Sequence, residues 1–159
     1  MIILGIDPGL ATTGFGVIEK NKHQLHAVDF GVILTPAKTE LAHRLKSISA
    51  DLKSIIKKYK PDAVGIEKIF FAKNAKTALD VGQARGVALL EIMSAGLSPH
   101  EFTPLQVKQA VTGYGRADKK QIQKMVQTIL KLKNLPKPDD AADALALAIT
   151  LSNSIHPVK

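Results

Sequence analysis

Ile2-Ile3-Leu4-Gly5-Ile6-Asp7-Pro8-Gly9 opens the chain as a short apolar run that ends on an acid and a Pro-Gly turn. A run of this length, bounded by turn residues, predicts a buried strand. A Thr-rich turn leads on to Gly14–Glu19 and Gln24–Leu34, which read as a second and a third strand. Three consecutive strands predict an antiparallel meander.

Beyond the meander, Leu41, Leu45, Ile48, Leu52 and Ile55 recur at helical spacing, with Lys46, Lys53, Lys57 and Lys58 on the other side. Pro61 stops this helix. Asp62–Glu67 is a short apolar strand that again ends on an acid. From Asn74, as N-cap, a long helix is predicted to about Gly96, with Ala78, Gly82 and Gly86 at four-residue spacing. A strand near Glu101–Thr103, a short helix from Pro104, and a helix opened by the capping-box pattern Asp118-Lys119-Lys120-Gln121 follow. The last helix opens at Asp139-Asp140 and runs to about Ser152. The order β-β-β-α-β-α-β-α-α-α describes an α/β fold with one five-stranded mixed sheet, a meander followed by parallel strands, flanked by helices. No repeat or linker divides it, so residues 1–152 are expected to form a single domain and 153–159 a short tail.

The chain has 159 residues, 45% apolar and only 4% aromatic, so its core must rest on aliphatic side chains. Cysteine is absent, which excludes disulfides, thiolate metal sites and cysteine nucleophiles. The first residues carry no basic leader and no run long enough to span a membrane, which gives the expectation of a cytoplasmic protein. The net charge is +8, and between Pro104 and Pro138 eight basic residues face one acid, leaving +7 in that stretch. This concentration favours a polyanionic partner.

Asp7 and Glu67 end two strands expected at the centre of the sheet, where open α/β sheets place their sites. Asp140 and Asp143, three apart at the start of the last helix, project from one face. The apolar run after Asp143 implies that this helix packs on the sheet and carries its first turn to the strand ends. Carboxylates that converge repel one another, and burying them uncompensated costs several kcal/mol in order of magnitude, so bound cations are expected. All-oxygen donors suit Mg²⁺, with Mn²⁺ as a substitute. Two such ions per site could activate a water and stabilise the leaving oxygen of a phosphodiester. Taken singly, Asp7 could instead cap the Pro8-Gly9 turn, Asp140 could be an N-cap and Glu67 a surface acid. It is the joint pattern that is specific.

Ile6-Asp7-Pro8-Gly9-Leu10, Ile66-Glu67, Gly82-Gln83-Ala84-Arg85-Gly86 and Asp140-Ala141-Ala142-Asp143-Ala144-Leu145 strongly resemble the RuvC family of Holliday junction resolvases. The resemblance spans Met1 to about Ser152. It implies an RNase H-like fold, a homodimer, and a Mg²⁺-dependent nuclease whose four acids fall on Asp7, Glu67, Asp140 and Asp143. It further implies four-way junction DNA as substrate and a RuvA-RuvB branch-migration complex as partner. Between Lys68 and Lys73 stand Phe70 and Phe71, either of which could stack on an unpaired base or hold the next helix to the core. The resemblance favours Phe70 as the outward ring. It also singles out Lys108 and Lys119 near the site, while Arg116, in the basic turn Gly113-Tyr114-Gly115-Arg116, is a candidate phosphate contact. The five histidines show no ligand spacing and receive no role.

Two other readings compete. Asp7-Pro8-Gly9 with Thr12-Thr13-Gly14 resembles the first phosphate loop of actin- and hexokinase-like ATPases, although those proteins close two domains around a nucleotide. A junction-binding protein without catalysis could use the same fold, but would ordinarily have lost an acid.

Overall fold

The computed structural model of the protein describes residues 1–22, 24–68 and 75–155, and the side chains of 75 and 76 are excluded. Phe70, Phe71 and Asn74 lie outside the described residues. Strands β1 (Ile2–Asp7), β2 (Thr12–Asn21) and β3 (Gln24–Leu34) form the meander, followed by helix α1 (Leu41–Tyr59) and strand β4 (Ala63–Glu67). Helix α2 (Ala75–Ser94), strand β5 (Pro99–Phe102) and helices α3 (Pro104–Thr112), α4 (Lys119–Ile129) and α5 (Asp139–Ser154) complete the chain. The expected order is therefore observed. The sheet runs β3-β2-β1-β4-β5, with antiparallel pairing within the meander and parallel pairing of β1 with β4 and of β4 with β5.

Each face of the sheet has its own core. Leu4, Ile6, Val64 and Ile66 pack beneath α1 and α2 with Ile48, Leu52, Ala84, Ala88 and Ile92. Ile3, Ile18 and Ala63 pack on the opposite face with Val107, Ile122, Val126, Leu145 and Ile149 from α3, α4 and α5. Because side chains alternate along a strand, Asp7 shares a face with Ile3 and Gly5, and Glu67 shares one with Ala63 and Gly65. Both acids therefore fall on the α5 side.

Glycines let α5 come close. A Cβ on Gly5 would overlap the Ala144 carbonyl, one on Gly14 the Asp140 carbonyl, and one on Gly16 would sit 2.7 Å from the Leu145 nitrogen. The backbone of α5 thus lies directly on β1 and β2. Gly14 is the sheet partner of Asp7, so the same contact sets Asp140 beside Asp7. Gly5→Ala is expected to cost about 3 kcal/mol or more through overpacking against a helix that cannot retreat. Urea denaturation checks this, and an unchanged midpoint would show that α5 is not held by this contact.

Two helix starts follow the sequence closely. Thr103 and Gln106 form a capping box on α3, and Asp118 and Gln121 form the expected one on α4. On α5 the cap position is Pro138 and no side chain caps it, so Asp140 is not an N-cap. The turn after β1 is tied by Thr13, whose hydroxyl donates to the Gly9 carbonyl at 2.7 Å. Thr13 is 1% exposed, and a hydroxyl engaged in this way is not free to bind a nucleotide phosphate.

Candidate active site

Register builds the site. β1 and β4 are in parallel register with Ile6 opposite Ile66, so Asp7 and Glu67 end neighbouring strands side by side. Above them α5 delivers Asp143, and a cleft of about 250 Å³ is lined by Asp7, Glu67, Lys108, Lys119 and Asp143. Its apolar wall is Pro104, Val107, Ile122 and Leu147. Asp140, half-buried one turn ahead of Asp143, is not part of the cleft lining, but its charge reaches Asp7.

The electrostatics are those of crowded acids. Burial, then repulsion from Glu67, Asp143 and Asp140, pushes Asp7 up to about 8, with Lys119 opposing. Burial followed by Asp143 also raises Glu67, and burial raises Asp143 against the pull of Lys119. The Lys119 ammonium lies 3.4 Å from Asp143 and 3.3 Å from Asp139. These acids raise its pKa although burial works the other way. Asp139 accepts a hydrogen bond from Gln123 at 2.7 Å, and with Lys119 this lowers its pKa. Asp139 is thus engaged by α4 and shares Lys119 with Asp143.

The donor set fits a hard divalent cation: oxygens only, mutually repelling, with no histidine in the cleft lining. Among the described residues the acids do not yet stand as a ready group of three around one point.

Of the residues expected at the site, Asp7, Glu67, Asp143, Lys108 and Lys119 meet in one cleft, while Asp140 stands outside its lining, one turn ahead of Asp143. Arg116 is exposed on the turn between α3 and α4 and does not line the cleft. Phe70 lies outside the described residues. Gly5, Gly14 and Gly16 were not foreseen as the reason α5 can deliver its acids. Gly14 and Gly16, two apart on a strand and so on one face, carried that signal.

The model of the family described as "Crossover junction endodeoxyribonuclease RuvC" matches residues 3–151. The RuvC of Halothermothrix orenii is 56% identical over 97% of this chain and 93% of its own length. That of Heliobacterium modesticaldum is 55% identical over 98% and 96%. The chain belongs to the RuvC family. The solved structure of T. thermophilus RuvC in complex with a Holliday junction substrate has a TM-score of 0.90 and 35% identity, covering 96% of this chain and 93% of that one. The RNase H-like fold follows, and so does classification as a crossover junction endodeoxyribonuclease. For this RuvC-family chain the ATPase reading falls away. Among the described residues no helix is long and apolar enough to cross a membrane.

Proposed function

We propose that this chain resolves four-way DNA junctions by paired, metal-dependent nicking of two strands of like polarity, leaving ligatable duplexes for recombination and repair. The observation that carries the reading is the convergence of Asp7 and Glu67 at adjacent strand ends with Asp143 of α5 in the same cleft. The T. thermophilus relative, seen with a junction substrate, supports it. Asp7, Glu67, Asp140 and Asp143 would hold a pair of Mg²⁺ ions, for which Mn²⁺ can substitute. When bound, such ions activate a water and stabilise the leaving oxygen.

The chain's own groups do the rest. Asp7 gives up its proton to become a ligand, because its carboxylate form is unfavourable only while its neighbours' charges are unbalanced. Lys119 leaves Asp143 for the substrate phosphate, and Lys108 in the same cleft offsets charge that develops on the phosphate. Val107, Ile122 and Leu147 keep that side of the cleft apolar, which strengthens each of these interactions. Arg116, Lys124, Lys131 and Lys133 attract the DNA backbone at greater distance. Phe70 is assigned to stacking at the crossover. Residues 1–152 act as one nuclease domain, in the cytoplasm and alongside a RuvA-RuvB complex.

A junction has approximate two-fold symmetry, so two sites related by a dyad suit it, and the active species is a homodimer. The outward face of α2 supports this. Leu79, Leu90 and Met93 are 64%, 62% and 58% exposed, with Gly82 and Gly86 between them. The inward face, Ala84, Ala88 and Ile92, is buried. Among the described residues a Cβ on either glycine would meet nothing within 4 Å, so their packing does not call for the small residues.

The test is incubation with a synthetic mobile junction beside a matched linear duplex. Paired incision of the junction alone, with Mg²⁺ and not in chelator, is expected; cutting in chelator or equal cutting of the duplex contradicts the reading. Junction binding in chelator should also weaken with salt, with a log–log slope of about −4 or steeper. A flat response would remove the +7 segment as the DNA surface.

A further inference from the structure

Arg85 lies on α2, outside the cleft lining. Its Nε donates to the backbone carbonyl of Glu67 at 3.1 Å. Its Nη2 bonds the Glu101 carboxylate, and the side chain is only 17% exposed. Glu101 belongs to β5, where it stands opposite Ile66 in the pairing with β4. The Lys68 amide, in turn, donates to the Phe102 carbonyl at 2.8 Å.

The Glu67 carbonyl and the Lys68 amide belong to one planar peptide unit. That unit is held at both ends, by Arg85 on one side and by β5 on the other. Fixing it fixes the backbone on the C-terminal side of Glu67, and with it the direction in which the Glu67 side chain leaves the strand. Glu67 is the last residue of β4, so ladder pairing alone secures it least at the point where direction matters. The planar guanidinium can reach two acceptors at set angles, and Glu101 keeps it planted between the helix and the strand.

We propose that Arg85, anchored by Glu101, is a positioning residue that aims the Glu67 carboxylate at the cation site. This rests on Glu67 being a metal ligand, as proposed above. Partners that orient ligands typically affect metal affinity about 10–100-fold.

The experiment measures Mn²⁺ binding by electron paramagnetic resonance, with kcat and KM on a junction, junction binding in chelator, and melting temperature. Arg85→Gln is expected to weaken Mn²⁺ binding by about 10-fold or more and to lower kcat, with junction binding in chelator unchanged. Arg85→Lys, able to keep one of the two bonds, should fall between, and Glu101→Gln should weaken binding a few-fold. Native Mn²⁺ affinity in Arg85→Gln overturns the proposal, as does a lower melting temperature with native affinity. Should Arg85→Gln fail to fold, native affinity in both Arg85→Lys and Glu101→Gln overturns it equally. Glu67→Gln separates the two ideas. If it keeps native Mn²⁺ affinity, the ligand assignment fails; if it loses affinity while the Arg85 and Glu101 variants do not, only the positioning role fails.

Discussion

Asp7→Asn is expected to slow junction cleavage by at least about 10³-fold, roughly 4 kcal/mol of barrier, while leaving junction binding in chelator intact. The same substitution is expected to stabilise the metal-free protein at alkaline pH. Folding raises Asp7 from 3.8 to about 8, so the folded chain holds this proton more tightly than the unfolded chain does. Stability from this group is complete below about pH 4, is lost as pH rises from about 4 to about 8, and is level above that. An offset of this size is worth roughly 5–6 kcal/mol as an upper figure. The raised values of Glu67 and Asp143 act in the same direction. Asparagine carries no charge, so in chelator at pH 8.5 the variant should melt at least about 5 °C above the native chain. A variant that cuts at the native rate removes Asp7 from the site. One that melts at or below the native temperature removes the repulsion argument.

Gly86→Leu should convert the protein from dimer to monomer and abolish coordinated incision. Among the described residues nothing lies within 4 Å of a Cβ there, and replacing a helical glycine should stabilise α2 by about 1 kcal/mol. Sedimentation should show folded monomers, and junction cleavage should fall to uncoupled single nicks. A dimeric Gly86→Leu protein with normal paired incision would move the interface away from α2.

The sheet was legible because its central strands are short aliphatic runs stopped by Asp7 and Glu67, and the helix starts because Asp118 and Gln121 have a local role that spacing reveals. The edge of the sheet was less so. β5 spans Pro99–Phe102 rather than Glu101–Thr103, because His100 and Glu101 are both exposed on an edge strand and leave no alternation to read. β2 begins at Thr12 rather than Gly14, since the Thr pair continues the strand instead of turning. The acids could be named from strand ends and helix spacing, but their state could not. The pairing of Lys119 with Asp143 depends on α4 lying over α5, and the reach of Arg85 to Glu67 and Glu101 spans three elements. Neither leaves a periodic trace.

The central claim is that a divalent cation relieves the crowding of Asp7 by its neighbours. With a value of about 8, Asp7 is roughly nine-tenths protonated at pH 7, so cation binding must expel that proton. Mn²⁺ titration by calorimetry in two buffers of different ionisation enthalpy counts it directly. The native chain should release close to one proton per site more than Asp7→Asn does, whereas no release from the native chain, or equal release from both, would contradict the account.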